Sequence, residues 1–363
     1  MKWKYAVMHL EKTVATIQDD GLCTIQEPVF LPYNLYLEED EDFSARIQNL
    51  ENFMYWCASR LLPLDRVYLK EILNAIGGKQ GTTDRERAGI ALSYHCLSLT
   101  DVFWVRKAEE ELSFADINLY EHSLSDAFVA TSLFGRSLTA ENARMLTKAD
   151  SSGDIATQGV APKAWIRRDG HFLLLKDGES RDVEAELLAS RIARCFTVDQ
   201  VLYEPFVYEG QAVSCCRLAT SLRYGMAPME HVEIFAVNHD TTRWDLIQQI
   251  DAYGFHMMNI VDYLIGNTDR HWGNWGFLID HDTNQPVKLH PLMDFNKSFL
   301  AYDTMEGTLC LTTSSQMSQK EAALVGARAV GLNQNAEISR GWFADEARWE
   351  MFNKRLEILK NLR

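Results

Sequence analysis

Apolar and polar positions change period several times along the chain, and each change predicts an element. Tyr5 to Leu10 and Thr13 to Ile17 are rich in β-forming residues, and Asp20-Gly21 is a turn dipeptide before Leu22 to Ile25, so the opening reads as a hairpin in a small sheet. Ile47, Leu50, Met54, Cys57 and Leu61 then recur at helical spacing behind Ser44, a candidate N-cap, until Pro63 stops the pattern. A second helix is predicted from Asp65 to Gly77, with the glycine as C-cap, and helical signal resumes around Arg87 to Tyr94. Leu97 to Asp101 with Phe103-Trp104 reads as an apolar docking segment.

The small, polar stretch Lys148 to Asp154 marks a boundary. Beyond it, Ala164 to Ile166 and Phe172 to Lys176 flank Arg168-Asp169-Gly170-His171 and predict two strands joined by a turn, and Val183 to Ile192 has helical periodicity. Val201 to Tyr203 and Ala212 to Cys216 add short strands around Glu209-Gly210. After about residue 222 the pattern turns helical, and Ile247, Ile250, Met257, Met258, Val261, Leu264 and Ile265 make a broad apolar face that ends at Gly266. Trp275 to Ile279 and Val287 to Leu289 read as strands either side of a turn. The chain therefore divides into a mixed α/β region over 1–145, a strand-rich part with a glycine-containing loop over 146–220, and a mainly helical part over 221–363.

Composition narrows the class. No stretch approaches the roughly 18 uninterrupted apolar residues of a membrane helix, and the first residues form too short an apolar run for a signal peptide, so a cytoplasmic protein is expected. The seven cysteines are scattered and odd in number with no C-x-x-C pair, which points to buried free thiols rather than disulfides or a zinc cluster. With 36 basic against 51 acidic residues the net charge is −15, and no basic stripe offsets it. Direct binding to a nucleic acid is disfavoured, although a basic partner could mediate it. Five like charges at Glu38 to Asp42 read as a solvated loop.

The chemistry concentrates in Asn267-Thr268-Asp269-Arg270-His271-Trp272-Gly273-Asn274, a polar loop held between an apolar helix and an apolar strand. Asp269 and Asn274 have the D-x-x-x-x-N spacing of a kinase catalytic loop, in which the Asp accepts a hydroxyl proton and the Asn ligates a metal ion. After the following hairpin, Asp294 supplies a second carboxylate. Phosphate neutralisation by Mg²⁺ needs oxygen ligands, and Asn274 and Asp294 are of that type. Spacing alone leaves open that Asp269 caps a loop while Asp294 binds backbone amides. His271 reads as a structural hydrogen-bonder and Arg270 as the brace of a carboxylate. Lys176, at the end of an apolar strand, is a candidate for the nucleotide phosphates, although a snorkelling strand end fits the same pattern. Glu184 is its candidate partner, with Glu186 competing. Gly153 and Gly159 bracket a loop followed by Lys163 that can offer backbone amides to phosphates.

In this order, Gly159 to Lys163, Leu174 to Lys176, Glu184, N-T-D-x-H-x-x-N from Asn267 to Asn274, and Asp294 resemble the HipA-like serine/threonine kinases, over about residues 150 to 300. The resemblance implies an α+β, bilobal protein-kinase-like fold. Residues 146–220 would be its small β-rich N-lobe, 221–363 its helical C-lobe, and 1–145 an extra region packed on the kinase core. It also implies ATP and Mg²⁺ as cofactors, with Asp269 as catalytic base and Asn274 and Asp294 as metal ligands. Lys176, Glu184, Gly159 and Lys163 would serve the nucleotide, a protein Ser or Thr would be the substrate, and an antitoxin-like regulatory protein is the expected partner. The regulatory Ser that toxin members carry in the glycine loop is replaced here by Ala156-Thr157-Gln158-Gly159, with Thr157, Ser151 or Ser152 as substitutes. Two other classes stay open: a pseudokinase-like module that binds nucleotide or a partner without turnover, and a metal-dependent hydrolase using Asp269, His271, His290 and Asp294.

Overall fold

In the computed structural model, which describes residues 4–61, 67, 83–121, 132–133, 162–177, 180–313 and 315–362, the opening residues form the antiparallel strands β1 (Tyr5–His9), β2 (Lys12–Ile17) and β3 (Cys23–Ile25). With β4 (Phe103–Lys107) they make a sheet of order β3-β2-β1-β4. Helices α1 (Phe43–Ser59) and α2 (Asp84–Ser93) belong to the same core, where Val7, Ala15, Ile17, Phe53, Trp56, Cys57, Ala91 and Val105 meet. The predicted helix Asp65 to Gly77, the Lys148 to Asp154 boundary and Gly159 lie outside the described residues.

Three sequence expectations change here. The N-cap of α1 is Asp42, whose side chain accepts the Ser44 N–H at 2.9 Å. The buried face of α1 runs through Asn49, Phe53, Trp56 and Cys57, leaving Ile47 exposed, because the core-facing stripe follows the sheet it covers. Phe103 and Trp104 are not a docking segment: they lie in β4, with Trp104 fully buried and its Nε1–H donating to Leu10 O at 2.7 Å.

The chain divides into two compact units. The first comprises residues 1–177 together with 220–225 and 280–285; the second takes 178–219, 226–279 and 286–363. The first unit also contains the antiparallel hairpin of β5 (Lys163–Arg168) and β6 (His171–Lys176), turned at Asp169-Gly170 with both residues at positive φ. The second contains α3 (Ser180–Ala193), the hairpin of β7 (Tyr203–Tyr208) and β8 (Gln211–Arg217), and most of the sheet of β9 (Tyr224–Pro228), β10 (Gly276–Asp280) and β11 (Gln285–Leu289). The strand β9 falls where helical signal was expected, since its pairing with β10 is a long-range event that periodicity does not report.

Helices α4 (Met229–Asn238), α5 (Arg243–Ile265), α6 (Gln319–Val330) and α7 (Glu346–Lys360) complete the second unit. The second half of α5 is buried almost all round, as a helix enclosed by others must be. It kinks at Asp251, whose carboxylate accepts the Gly254 N–H at 2.8 Å and the Leu289 N–H at 2.9 Å, capping a fresh helical start and tying it to β11. Among the described residues no helix is long and apolar enough to cross a membrane, and all seven cysteines are buried free thiols.

Two buried imidazoles make the first unit acid-sensitive. His9 on β1 and His281 have ring centroids 6.0 Å apart, and the Nε2 of each lacks a hydrogen-bond partner among the described residues. Burial, then the neighbouring His281, pushes His9 down to about 4 against the pull of Asp101. Burial also lowers His281, against its bond to Leu222 O and the nearby Asp101. A folded pKa below the unfolded value of about 6.5 means that stability is fully present above that value and is lost as pH falls toward the folded pKa. At pH 5 His9 alone should cost about 2 kcal/mol. Thermal melts at pH 7.5 and 5 measure this, and His9→Leu should shrink the difference; an equal pH dependence in the variant would show that His9 titrates normally.

Candidate functional site

Helix α5 ends at Gly266 in the left-handed conformation (φ 60°), where a Cβ would stand 2.5 Å from the Tyr302 ring. The loop that follows is closed by its own polar side chains. Asn267 Oδ1 accepts the Asp269 N–H at 3.1 Å, and the Asn274 side-chain amide donates to Asp269 O at 2.9 Å. Gly273 N–H donates to His271 Nδ1 at 3.1 Å, so His271, otherwise exposed, holds the turn. From outside, Gln319 Nε2 donates to Asn267 O at 2.5 Å and Thr268 N–H donates to Lys297 O at 3.3 Å.

Arg270 is the buried hub. Its guanidinium grips the Asp262 carboxylate with two bonds of 2.8 and 3.0 Å, and its remaining terminal nitrogen donates to Asn274 O at 2.8 Å and Met293 O at 2.5 Å. One planar cation thus joins the preceding helix, the residue Asn274 and the residue before Asp294. The braced carboxylate is Asp262, one helical turn before the loop, which spacing did not single out.

The structure brings Asp269, Asn274 and Asp294 together. Asp294 sits at φ 59° with its N–H on the Tyr203 hydroxyl at 3.1 Å. Burial raises the Asp269 pKa above the ordinary carboxylate value and the Asp294 charge raises it further, against the pull of His271, Arg270 and Lys297. Two carboxylates close enough to oppose each other's ionisation favour a cation between them. Asn274 spends its NH2 on Asp269 O, and among the described residues its Oδ1 has no hydrogen-bond partner, which leaves it open as a ligand. An all-oxygen set of this kind fits Mg²⁺. No group of three His, Cys, Asp or Glu gathers as a metal site among the described residues, and His290, of the hydrolase reading, is buried with Nδ1 2.9 Å from Pro291 O.

The nucleotide candidates are distributed over both units. In the first, Lys163 and Lys176 are both buried and are direct partners in the β5–β6 register, so their side chains leave the same face. In the second, Glu184 is exposed on α3, whereas Glu186 is buried and accepts a hydrogen bond from Ser214 on β8. The inward carboxylate of α3 is therefore Glu186, because the helix turns position 186 and not 184 toward β8. Two charged residues had no site role in the sequence: Lys297, part of the Asn296-Lys297-Ser298 run after Asp294, which acts on Asp269, and its ion-pair partner Asp182 at 2.6 Å. The signal available for Lys297 was its place three residues after Asp294.

No family model matches the chain, and no curated protein matches it. Among solved structures, the HipA of the Shewanella oneidensis MR-1 toxin–antitoxin system, in a complex with HipB and operator DNA, matches with a TM-score of 0.56 over 98% of this chain and 96% of that one, at 10% identity. The Helicobacter pylori proinflammatory kinase CtkA matches at 16% identity with a TM-score of 0.40, over 55% of this chain and 90% of that one. The chain shares the fold of the Shewanella protein over nearly its whole length.

Proposed function

We propose that this protein is an ATP- and Mg²⁺-dependent kinase that transfers a γ-phosphoryl group to a Ser or Thr hydroxyl of a protein. The observation that carries this is the convergence of Asp269, Asn274 and Asp294 on one loop, hairpin and loop, held by the Arg270 guanidinium. The fold shared with HipA supports the same reading. A bilobal kinase-like arrangement is part of the proposal, with the nucleotide-binding lobe over 146–220, the catalytic lobe over 221–363 and the region 1–145 packed on them.

Asn274 Oδ1 and the Asp294 carboxylate would hold Mg²⁺, which when bound neutralises phosphate charge and aligns the γ-phosphoryl group. Lys176 and Lys163 would take the phosphates, Glu186 is better placed by burial than Glu184 to orient a lysine, and the loop at Gly159 would add backbone amides. Asp269 positions the acceptor hydroxyl and accepts its proton as that oxygen bonds to the γ-phosphorus; the bond to the β,γ-bridging oxygen breaks and ADP leaves with the electron pair. An antitoxin-like regulatory partner is part of the proposal, supported by the HipB found with the Shewanella protein, and the net charge of −15 favours a DNA contact made by that partner over one made by this chain.

The test is label transfer from γ-labelled ATP to Ser/Thr-containing protein acceptors with and without Mg²⁺. Mg²⁺-dependent labelling is expected. Nucleotide binding with no labelling of any acceptor, itself included, would leave a regulatory module in place of a kinase.

A further inference from the structure

Arg355 on α7 is a fully buried cation with no part in the transfer steps above. Among the described residues no carboxylate stands within ion-pair distance of it. Its guanidinium lies over two aromatic rings, with the centres of Tyr263 and Tyr302 at 4.9 and 4.4 Å, and it bridges two carbonyls. One terminal nitrogen donates to Tyr263 O at 2.6 Å and the other to Thr304 O at 2.7 Å. Gly266 packs so close that a Cβ there would stand 3.2 Å from the first of these nitrogens. Burial lowers the pKa of Arg355, against Tyr302, Tyr263 and Asp303, but a guanidinium remains charged at any working pH. Its counter-charge is the carbonyl end of α5.

The two bridged carbonyls belong to the two segments that carry the candidate site. Tyr263 lies in the last turn of α5, from which the loop with Asp269 departs, and Thr304 lies in the irregular chain that follows Asp294. These segments run past each other in opposite directions and are tied at successive points. Arg270 donates to Met293 O at 2.5 Å, Thr268 N–H to Lys297 O at 3.3 Å, and Phe299 N–H to Ile265 O at 3.0 Å. Further along, the Tyr302 hydroxyl donates to Leu264 O and the Tyr263 hydroxyl to Met305 O at 2.9 Å. Arg355 closes the far end of the series from a third element, and all of these residues lie in the second unit.

The chain after Asp294 has no helix or strand ladder of its own, and Asp294 and Phe299 both sit in the left-handed region at φ 59° and 60°. Its main-chain groups must find partners elsewhere, so its place is set by what it is tied to. A two-armed donor anchored in a packed helix fixes that place more firmly than ties within the pair alone, because both arms are held in one plane. We propose that Arg355 is a positioning residue for phosphoryl transfer: by holding Tyr263 O and Thr304 O together it sets the register of the Asp294 segment on the end of α5, and so the place of Asp294 relative to Asp269 and Asn274. This rests on the kinase reading and adds to it a residue of α7 that touches none of the reacting groups.

Three variants of the full chain test it. Arg355→Met keeps the length of the stem and removes both donors, Arg355→Lys keeps the charge but not the two-armed bridge, and Tyr302→Phe removes one neighbouring tie while leaving Arg355 in place. Melting reports whether each variant folds, and if Arg355→Met does not, the other two decide. Hydrogen exchange read by mass spectrometry over 267–274 and 294–305, the Mg²⁺ concentration that half-saturates ATP binding, and label transfer are then measured on folded protein. Both Arg355 variants should exchange faster in the two segments, need about three- to tenfold more Mg²⁺, and lose kcat with the acceptor KM little changed. Tyr302→Phe should move the same readouts in the same direction by less. A lower melting temperature with exchange over 294–305 and the Mg²⁺ requirement both unchanged means that Arg355 only stabilises the fold, which overturns the assignment and leaves the kinase reading standing. Native behaviour in Arg355→Lys also overturns it, since the charge at the end of α5 would then suffice without the bridge. A native chain that binds ATP with Mg²⁺ and labels no acceptor overturns the kinase reading and this inference with it.

Discussion

Asp269→Asn is expected to lower phosphoryl transfer by about a hundred- to ten-thousand-fold, the usual weight of a positioned general base, while Mg²⁺-dependent ATP binding stays near that of the native chain. Asn keeps the shape of the side chain, and the main chain at this position is held by groups that the substitution does not touch: Asn267 Oδ1 on its N–H and the Asn274 amide on its C=O. What is lost is the oxygen that takes the hydroxyl proton. Asp294→Ala should do the reverse at the first step, weakening ATP binding in the presence of Mg²⁺ and changing it little with the ion chelated, since it removes the proposed carboxylate ligand. Calorimetric titration with and without Mg²⁺, beside label transfer, separates the two. Equal loss of ATP binding in both variants, or undiminished transfer in Asp269→Asn, would mean that the roles are assigned to the wrong residues.

Arg270→Ala should destabilise the second unit by about 3–5 kcal/mol, the cost of removing one partner of a buried ion pair. The pair is closed on both sides, with Arg270 and Asp262 each buried and joined by two hydrogen bonds. The substitution strands a carboxylate and also leaves Asn274 O and Met293 O without their donor. The double variant Asp262→Leu/Arg270→Met replaces the stranded charge with apolar volume and should regain part of the stability. Transfer should not return with it, because no side chain then fixes Asn274 against Met293. Denaturant unfolding gives the first quantity and label transfer the second. A loss under about 1 kcal/mol in Arg270→Ala would show a solvated, surface-like pair.

Much of this chain is local and was readable as such. Gly266 follows the apolar face of α5 and ends it, because glycine takes positive φ without penalty. Asp169-Gly170 and Glu209-Gly210 turn their hairpins with both residues at positive φ. The loop from Asn267 to Asn274 was visible as chemistry for a similar reason: its residues bond to one another across two to five positions, as Asn267 does to Asp269 and Asn274 does to Asp269.

The choice among equals was not local. Glu184 and Glu186 are alike in type and neighbourhood, and the difference is made by Ser214, whose hydroxyl donates to the Glu186 carboxylate from 28 positions away. Lys163 and Lys176 became neighbours through the register of a hairpin, and Phe103 and Trp104 became interior through the strand they pair with, β1. Arg270 could be read as a brace, but Asp262, Asn274 and Met293 were selected as its partners by the fold. Sequence by itself determined where α5 ends, where the Asp169-Gly170 and Glu209-Gly210 hairpins turn and which polar residues share one short loop, because those outcomes depend on backbone torsions and hydrogen bonds within a few residues. Only the tertiary structure decided which charge is buried, which carboxylates face each other and which lysines share a hairpin face, because burial and long-range pairing depend on surfaces that meet only after the chain has folded.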